Sequence, residues 1–203
     1  MGHPKPQPLT PALFCDRDGV LMEEVGYIRH AADVRLIPGV GAALRRFADA
    51  RIPIVSVSNQ SGVARGIITV AEVEAVQARL AELLWSEAGV RLAAMYFAPH
   101  HPQGTVAEFT GEHDDRKPRP GMLLKAAAAF PIDLARSWIV GDRLTDLEAG
   151  RNAGLAGAVL VKTGYGLNAV AETPPGRALP WDLLADSLPA AADAILQRMQ
   201  SNR

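Results

Sequence analysis

"ALFCDRDGV" (residues 12–20) runs from an apolar stretch straight into two aspartates and a glycine. A short, near-continuous apolar run that ends at a polar turn is the pattern of a strand covered on both faces. The pattern recurs at "IPIVSVS" (52–58), "AAMYFA" (93–98), "SWIVG" (137–141) and "GAVLV" (157–161). Helical periodicity lies between these runs. "GVGAALRRFADA" (39–50) follows Pro38 at a helix start. Over 70–89, Val73, Val76, Leu80, Leu83 and Leu84 share one face, with Thr69 as N-cap and Gly89 as C-terminal stop. Shorter helices are predicted over 121–130 and 144–154, and 180–200 reads as one or two closing helices interrupted near Pro189. Strands alternating with helices predict an α/β fold with a doubly wound parallel sheet, whose ligands bind at the carboxyl ends of the strands.

The bulk properties fit this architecture. The chain has 203 residues, 48% of them hydrophobic and 21% charged, enough apolar material for one core. A formal net charge of -1 argues against a nucleic-acid or anionic-membrane surface. The lone Cys15 excludes an internal disulfide and leans toward a reducing compartment. No apolar run approaches the roughly 18 to 20 residues of a membrane span. The polar, Pro-rich start "MGHPKPQPLTP" reads as a disordered lead-in over 1–10, before a single domain over 11–203 of a cytoplasmic protein. "ETPPGRALP" (172–180) is a loop, and the insert over 19–37 is too short for a separate domain.

Polar clusters sit at or near the ends of the first four strands. Asp16 and Asp18 lie two apart, so in an extended segment their side chains point to one side. Two carboxylates so close need a cation, and Mg²⁺ is the natural partner. Such a pair suits phosphoryl transfer, with one carboxylate attacking phosphorus and the other exchanging a proton with the leaving oxygen. Ser58, Asn59 and the amides leading to Gly62 offer neutral donors to phosphate oxygens. Lys117 can neutralise a transferring phosphoryl group, and Arg116 can grip a second anion. Asp142 is placed to complete the Mg²⁺ shell, and Asp146, one helical turn on, to orient its neighbours. Each cluster alone is ordinary turn or cap chemistry. Together they supply a nucleophile, neutral donors, a cation and a second metal ligand.

In this order, DxD, "SNQSG", Lys117 and "GDxxxD" resemble the haloacid dehalogenase-like (HAD) phosphatase superfamily. More narrowly, "DRDGV", "GYI" (26–28), "IPGV" (37–40), "SNQSGVARG" (58–66), "PHHPQG" (99–104), "RKPRPGML" (116–123) and "GDRLTDLEAG" (141–150) resemble its D-glycero-D-manno-heptose 1,7-bisphosphate 7-phosphatase and histidinol-phosphatase type. The resemblance implies a Rossmann-like core with minimal or no cap, a need for Mg²⁺, and removal of phosphate from a small phosphorylated sugar. A heptose 1,7-bisphosphate is the leading candidate, with histidinol phosphate, the other heptose anomer or another sugar phosphate as alternatives. A non-catalytic sugar-phosphate binding module is the remaining alternative.

Carried over by residue, Asp16 is implied as nucleophile and Asp18 as general acid/base, with Ser58 and Lys117 stabilising the phosphoryl group. Asp16, the backbone carbonyl of Asp18, and Asp142 are implied as Mg²⁺ ligands. Glu24, Val25, Gly26, Tyr27, Asn59, Gln60 and Ser61 are implied to line the substrate, and Arg116 to recognise its far end. Arg143 stands where the family often has Lys and keeps a positive charge beside the metal. The expected partner is the sugar phosphate alone, with no nucleic acid and no membrane, and the chain a monomer or weak homo-oligomer.

The stretch "APHHPQGTVAEFTGEHDDRKPRPG" (98–121) departs from the resemblance. The subfamily holds a structural zinc there with a Cys-x-His and a Cys-x-Cys pair. The matching positions here are Ala98, His100, His113 and Asp115. Ala98 cannot coordinate, and closed structural zinc sites are four-coordinate and usually rich in thiolates. Any residual zinc would rest on His100, His113 and Asp115, with His101 as a neighbour able to step in. Zinc is not expected. The segment is instead expected to fold by hydrogen bonds, with His113 and Asp115 in a polar network next to Lys117. Val20, where the family usually has Thr, implies a packing change without loss of activity.

Overall fold

The computed structural model describes residues 8–173 and 180–201. All five apolar runs become parallel strands: β1 (Leu13–Cys15), β2 (Ile54–Asn59), β3 (Ala94–Ala98), β4 (Trp138–Gly141) and β5 (Gly157–Val161). A sixth strand, β6 (Leu183–Ala185), extends the sheet beside β5, giving the order β3-β2-β1-β4-β5-β6. Phe14 in β1 lies opposite Val55 on one side and Ile139 on the other.

The period-two alternation of the strands divides the core between two faces. Leu13, Cys15, Val140 and Val159 pack with Leu44 and Phe47 of α1 (Val40–Asp49), Leu80 and Leu84 of α2 (Val70–Ala88), and Ile195 of α6 (Leu188–Ser201). On the other face Phe14, Val55, Ile139 and Leu160 meet Met122 and Leu123 of α3 (Gly121–Ala129) and Leu147 of α4 (Leu144–Asn152). Each such side chain, fully buried, contributes roughly 1.5–3 kcal/mol relative to exposure. Helices on both faces of a parallel sheet make the chain a Rossmann-like α/β fold.

Local chemistry sets the helix ends as the sequence predicts. The Thr69 hydroxyl accepts from the Glu72 amide at 3.1 Å while the Glu72 carboxylate accepts from the Thr69 amide at 2.7 Å, a reciprocal capping box. Gly89 ends α2 in the left-handed conformation. On the predicted apolar face Leu83 is only half-buried, and Gln77 is buried instead.

The closing segment differs from its reading. Residues 183–185 form a strand, with Leu184 opposite Leu160, and Pro189 lies in the first turn of α6 rather than interrupting a helix. Near the start of a helix the missing proline N–H has no intrahelical partner to lose. A further helix, α5 (Gly166–Ala171), was not anticipated. The insert over 19–37 supplies Leu21, Met22, Ile28, Val34 and Ile37 to the core, so it lies against the sheet rather than forming a cap.

Of the expected lead-in, residues 1–7 lie outside the described residues, as do 174–179 of the predicted loop. Thr10 is tied down: its amide donates to the Pro131 carbonyl at 2.9 Å.

Candidate active site

Strand order reverses between β1 and β4, neighbours in space that run in the same direction. The helices leaving them diverge to opposite faces and open a crevice at their carboxyl ends. Asp16 directly follows β1 and Asp142 directly follows β4, so the topology brings together two carboxylates far apart in sequence. Asp146, in the first turn of α4, joins them, and one oxygen of each lies within 4.8 Å of the others.

Lys117 holds two of the three, Asp16 and Asp146. Its Nζ donates to Asp16 Oδ1 at 2.8 Å and to the Val57 carbonyl at 2.7 Å, and pairs with Asp146 Oδ1 at 2.7 Å. Burial by itself would depress the lysine pKa, but Asp146 and Asp16 outweigh it and hold the group above its ordinary value. Burial pushes Asp16 up to about 7 against the pull of Lys117, with Asp146 and Asp18 adding to the rise. Asp142 is pushed up to about 8, first by burial and then by the neighbouring Asp16 and Asp146.

Asp142 is also where a cation fits. Its Oδ2 accepts from the Tyr165 amide at 2.8 Å, whereas its Oδ1 is buried with no hydrogen-bond partner. An orphaned, desolvated carboxylate oxygen beside a second carboxylate suits a hard divalent cation. The chain makes room for that carboxylate with Gly19 (φ +81°) and Gly164 (φ +57°), where an added Cβ would collide with Asp142 Oδ2. Asp146 differs, being committed to Lys117 and to the Arg143 amide (2.9 Å), which is the orienting place expected for it.

Asp18 faces another way. Its carboxylate accepts two nearly parallel bonds from Arg17, Nε at 3.0 Å and Nη2 at 3.1 Å, and further ones from Gln60 Nε2 (2.8 Å) and Ser58 Oγ (3.3 Å). Arg17 is 1% exposed and was not singled out from the sequence, where an arginine between two aspartates passes for a solvated charge. Gln60 also donates to Ser58 Oγ at 2.7 Å, so it orients both groups. Asn59 braces the lysine segment instead: its Nδ2 donates to the Lys117 carbonyl at 2.9 Å and its Oδ1 accepts from the Lys117 amide at 3.0 Å.

Asp16, Asp18, Ser58, Asn59, Gln60, Lys117 and Asp146 line a cleft of about 380 Å³ together with Glu24, Gly26, Tyr27, Ser61, Arg116 and Arg143. Val25 is the exception among the expected substrate-lining residues. It is absent from the cleft wall and 58% exposed, because its side chain points outward between two residues that face in. Arg116 is half-buried, its Nη1 donating to the His100 carbonyl at 3.2 Å. Glu24 is raised by burial. Thr145 and Tyr165 complete the wall and were not anticipated, since neither type announces phosphoryl chemistry. The signal available for Tyr165 was its place between Gly164 and Gly166, just beyond β5.

The histidine-bearing loop is organised differently from the cleft. His100 and His113 stack face to face at 3.9 Å, and His113 Nδ1 accepts from the Asp115 amide at 3.2 Å. Asp115 pairs with Lys125 and lies 3.7 Å from His113 Nδ1. The network expected next to Lys117 is therefore centred on Lys125, while Lys117 itself turns to Asp16, Asp146 and Asn59.

Comparison with known proteins defines the class first: a HAD-hydrolase-like family model matches residues 115–191. Among curated proteins, the chain is 46% identical over 188 residues to the D-glycero-D-manno-heptose-1,7-bisphosphate 7-phosphatase of Thermosynechococcus vestitus, covering 91% of this chain and 95% of that one. It is 42% identical over 190 residues to the D-glycero-beta-D-manno-heptose-1,7-bisphosphate 7-phosphatase of Yersinia pestis, covering 91% and 96%. Among solved structures, it is similar to a D,D-heptose 1,7-bisphosphate phosphatase from B. bronchiseptica in complex with magnesium and phosphate. That similarity has a TM-score of 0.78 and 30% identity, over 93% of this chain and 99% of that one. The chain belongs to the HAD-like hydrolases, in the same family as these relatives.

Proposed function

We propose that this chain is a Mg²⁺-dependent phosphomonoesterase that converts D-glycero-D-manno-heptose 1,7-bisphosphate to the 1-phosphate. The observation that carries the reaction type is Lys117 Nζ lying between Asp16 and Asp146 while Asp142 keeps a buried oxygen without a partner. The names of the relatives support the choice of sugar, and the magnesium and phosphate of the B. bronchiseptica structure support the cofactor.

Asp16, the backbone carbonyl of Asp18, and Asp142 would hold Mg²⁺, which when bound offsets the charge of both the carboxylates and the phosphate oxygens. The Asp16 oxygen not held by Lys117 attacks phosphorus. As the new P–O bond forms, the bond to the sugar oxygen breaks, and Asp18 gives that oxygen a proton. Water then attacks the phosphorus of the aspartyl-phosphate, Asp18 takes its proton, and Asp16 is restored as phosphate leaves. Lys117 and Ser58 steady the equatorial oxygens through both steps. Gln60 and Arg17 keep Asp18 in place. Arg116 and Arg143 supply the cations for the rest of the substrate, with Glu24, Gly26, Tyr27 and Ser61 around it.

The same reading takes residues 11–203 as one catalytic domain, a cytoplasmic monomer or weak homo-oligomer acting on a free metabolite, with neither nucleic acid nor membrane as partner. Among the described residues no helix is long and apolar enough to cross a membrane. The test is phosphate release with Mg²⁺ across a panel of sugar mono- and bisphosphates. The expected result is the highest kcat/KM for the heptose 1,7-bisphosphate, with Arg116→Ala weakening bisphosphates far more than monophosphates. Preference for histidinol phosphate would overturn the substrate and leave the chemistry standing; no release from any member would overturn the chemistry.

A further inference from the structure

We infer that Tyr165 is a positioning residue for substrate selection, acting through Arg143, an inference that rests on the phosphatase reading of the cleft. Arg143 opens α4 directly after the carboxylate of Asp142, and both Arg143 and Tyr165 line the cleft. The guanidinium carbon of Arg143 lies 3.7 Å from the centroid of the Tyr165 ring, a close cation–π stack. Arg143 makes no hydrogen bond through its guanidinium to any described residue, so its donors remain available to an anionic or hydroxylated ligand.

A free arginine side chain samples many rotamers, and ordering it on binding opposes affinity. A guanidinium held over an aromatic face has already lost much of that freedom. The backbone of Tyr165 performs a second task, since its amide donates to Asp142 Oδ2 at 2.8 Å. One residue therefore fixes the substrate-reading cation through its ring and the candidate metal ligand through its main chain. The ring also forms part of the boundary with a neighbouring hollow lined by Gly19, Glu23, Glu24, Ile37, Pro38 and Gly164, and the stack holds the guanidinium on the cleft side of the ring while Glu24 lines both spaces.

The two tasks separate experimentally, because substitution of the side chain leaves the amide in place. Tyr165→Leu is expected to raise KM for the heptose bisphosphate about tenfold, equivalent to about 1.4 kcal/mol, with kcat changed by less than about threefold. Tyr165→Phe keeps the ring and is expected to restore KM. In an Arg143→Ala background, Tyr165→Leu should change KM by less than about twofold, since the group it positions is gone. A readout independent of any substrate is the ring-current shift of the Arg143 Nε–H in a ¹H–¹⁵N spectrum. It should be present in the parent protein and in Tyr165→Phe and lost in Tyr165→Leu, which distinguishes failure of this inference from failure of the substrate assignment. Unchanged KM in Tyr165→Leu, additive effects in the double variant, no rescue by Phe, or no ring-current shift in the parent protein would each overturn it.

Discussion

Lys117 and Asp16 concentrate the chemistry of the cleft in a few buried atoms. Replacing Lys117 by Ala leaves Asp16 and Asp146 with two unpaired charges in a site where both are nearly inaccessible. Removing one partner of a buried ion pair costs about 3–5 kcal/mol, so Lys117→Ala is expected to lower stability by that order in denaturant titration and to abolish turnover. Asp18→Asn removes the proton donor and is expected to lower kcat about 10²- to 10⁴-fold; because it also takes the counter-ion from the buried Arg17, the midpoint of unfolding is expected to fall as well. Asp16 and Asp142 were legible because each directly follows a strand and is a type that phosphoryl transfer needs, whereas Arg116 and Lys117 lie well beyond β3 and were legible from their type and from the family resemblance. Arg17 and Tyr165 were not. A buried arginine looks the same in sequence as a solvated one, and the stack of Tyr165 on Arg143 joins two loops that only the sheet brings together.

At the scale of elements, the turns leaving β1 and β5 matter as much as the strands. Gly19 and Gly164 admit the Asp142 carboxylate, and both adopt backbone angles that side chains disfavour. Gly164→Ala is expected to displace Asp142 and weaken Mg²⁺ binding about 10- to 100-fold, read by calorimetric titration, whereas unaltered affinity would separate this turn from the metal site. Strands β1 to β5 were readable from their apolar runs and their polar stops. Strand β6 was not, because three residues followed by an alanine-rich helical pattern give too little alternation to separate from the helix. Pro189 misled for a related reason: a proline marks either an interruption or a first turn, and only the position of the preceding strand decides which.

For the whole molecule, the raised pKa values of Asp16 (about 7) and Asp142 (about 8) couple folding, protons and metal. In the unfolded chain these groups titrate near about 4. Between about pH 4 and the folded values the native state holds protons that the unfolded state has released, so this contribution to stability is lost as pH rises through 7 to 8. A divalent cation needs the same carboxylates ionised, and its binding releases those protons. The melting temperature without metal is therefore expected to fall from pH 6 to 8.5, and the increment given by Mg²⁺ to grow over the same interval. A Mg²⁺ increment independent of pH would contradict the placement of the ion between these residues.

On the proposed mechanism Asp16 carries the phosphoryl group between the two steps. Quenching the enzyme in acid during turnover of the heptose bisphosphate, reducing with borohydride and mapping peptides by mass tests it directly, because an aspartyl-phosphate is reduced to homoserine. Homoserine is expected at position 16 in the parent protein and none in Asp16→Asn, which should also release no phosphate while remaining folded. Phosphate release without modification of Asp16, or trapping at another carboxylate, would contradict it.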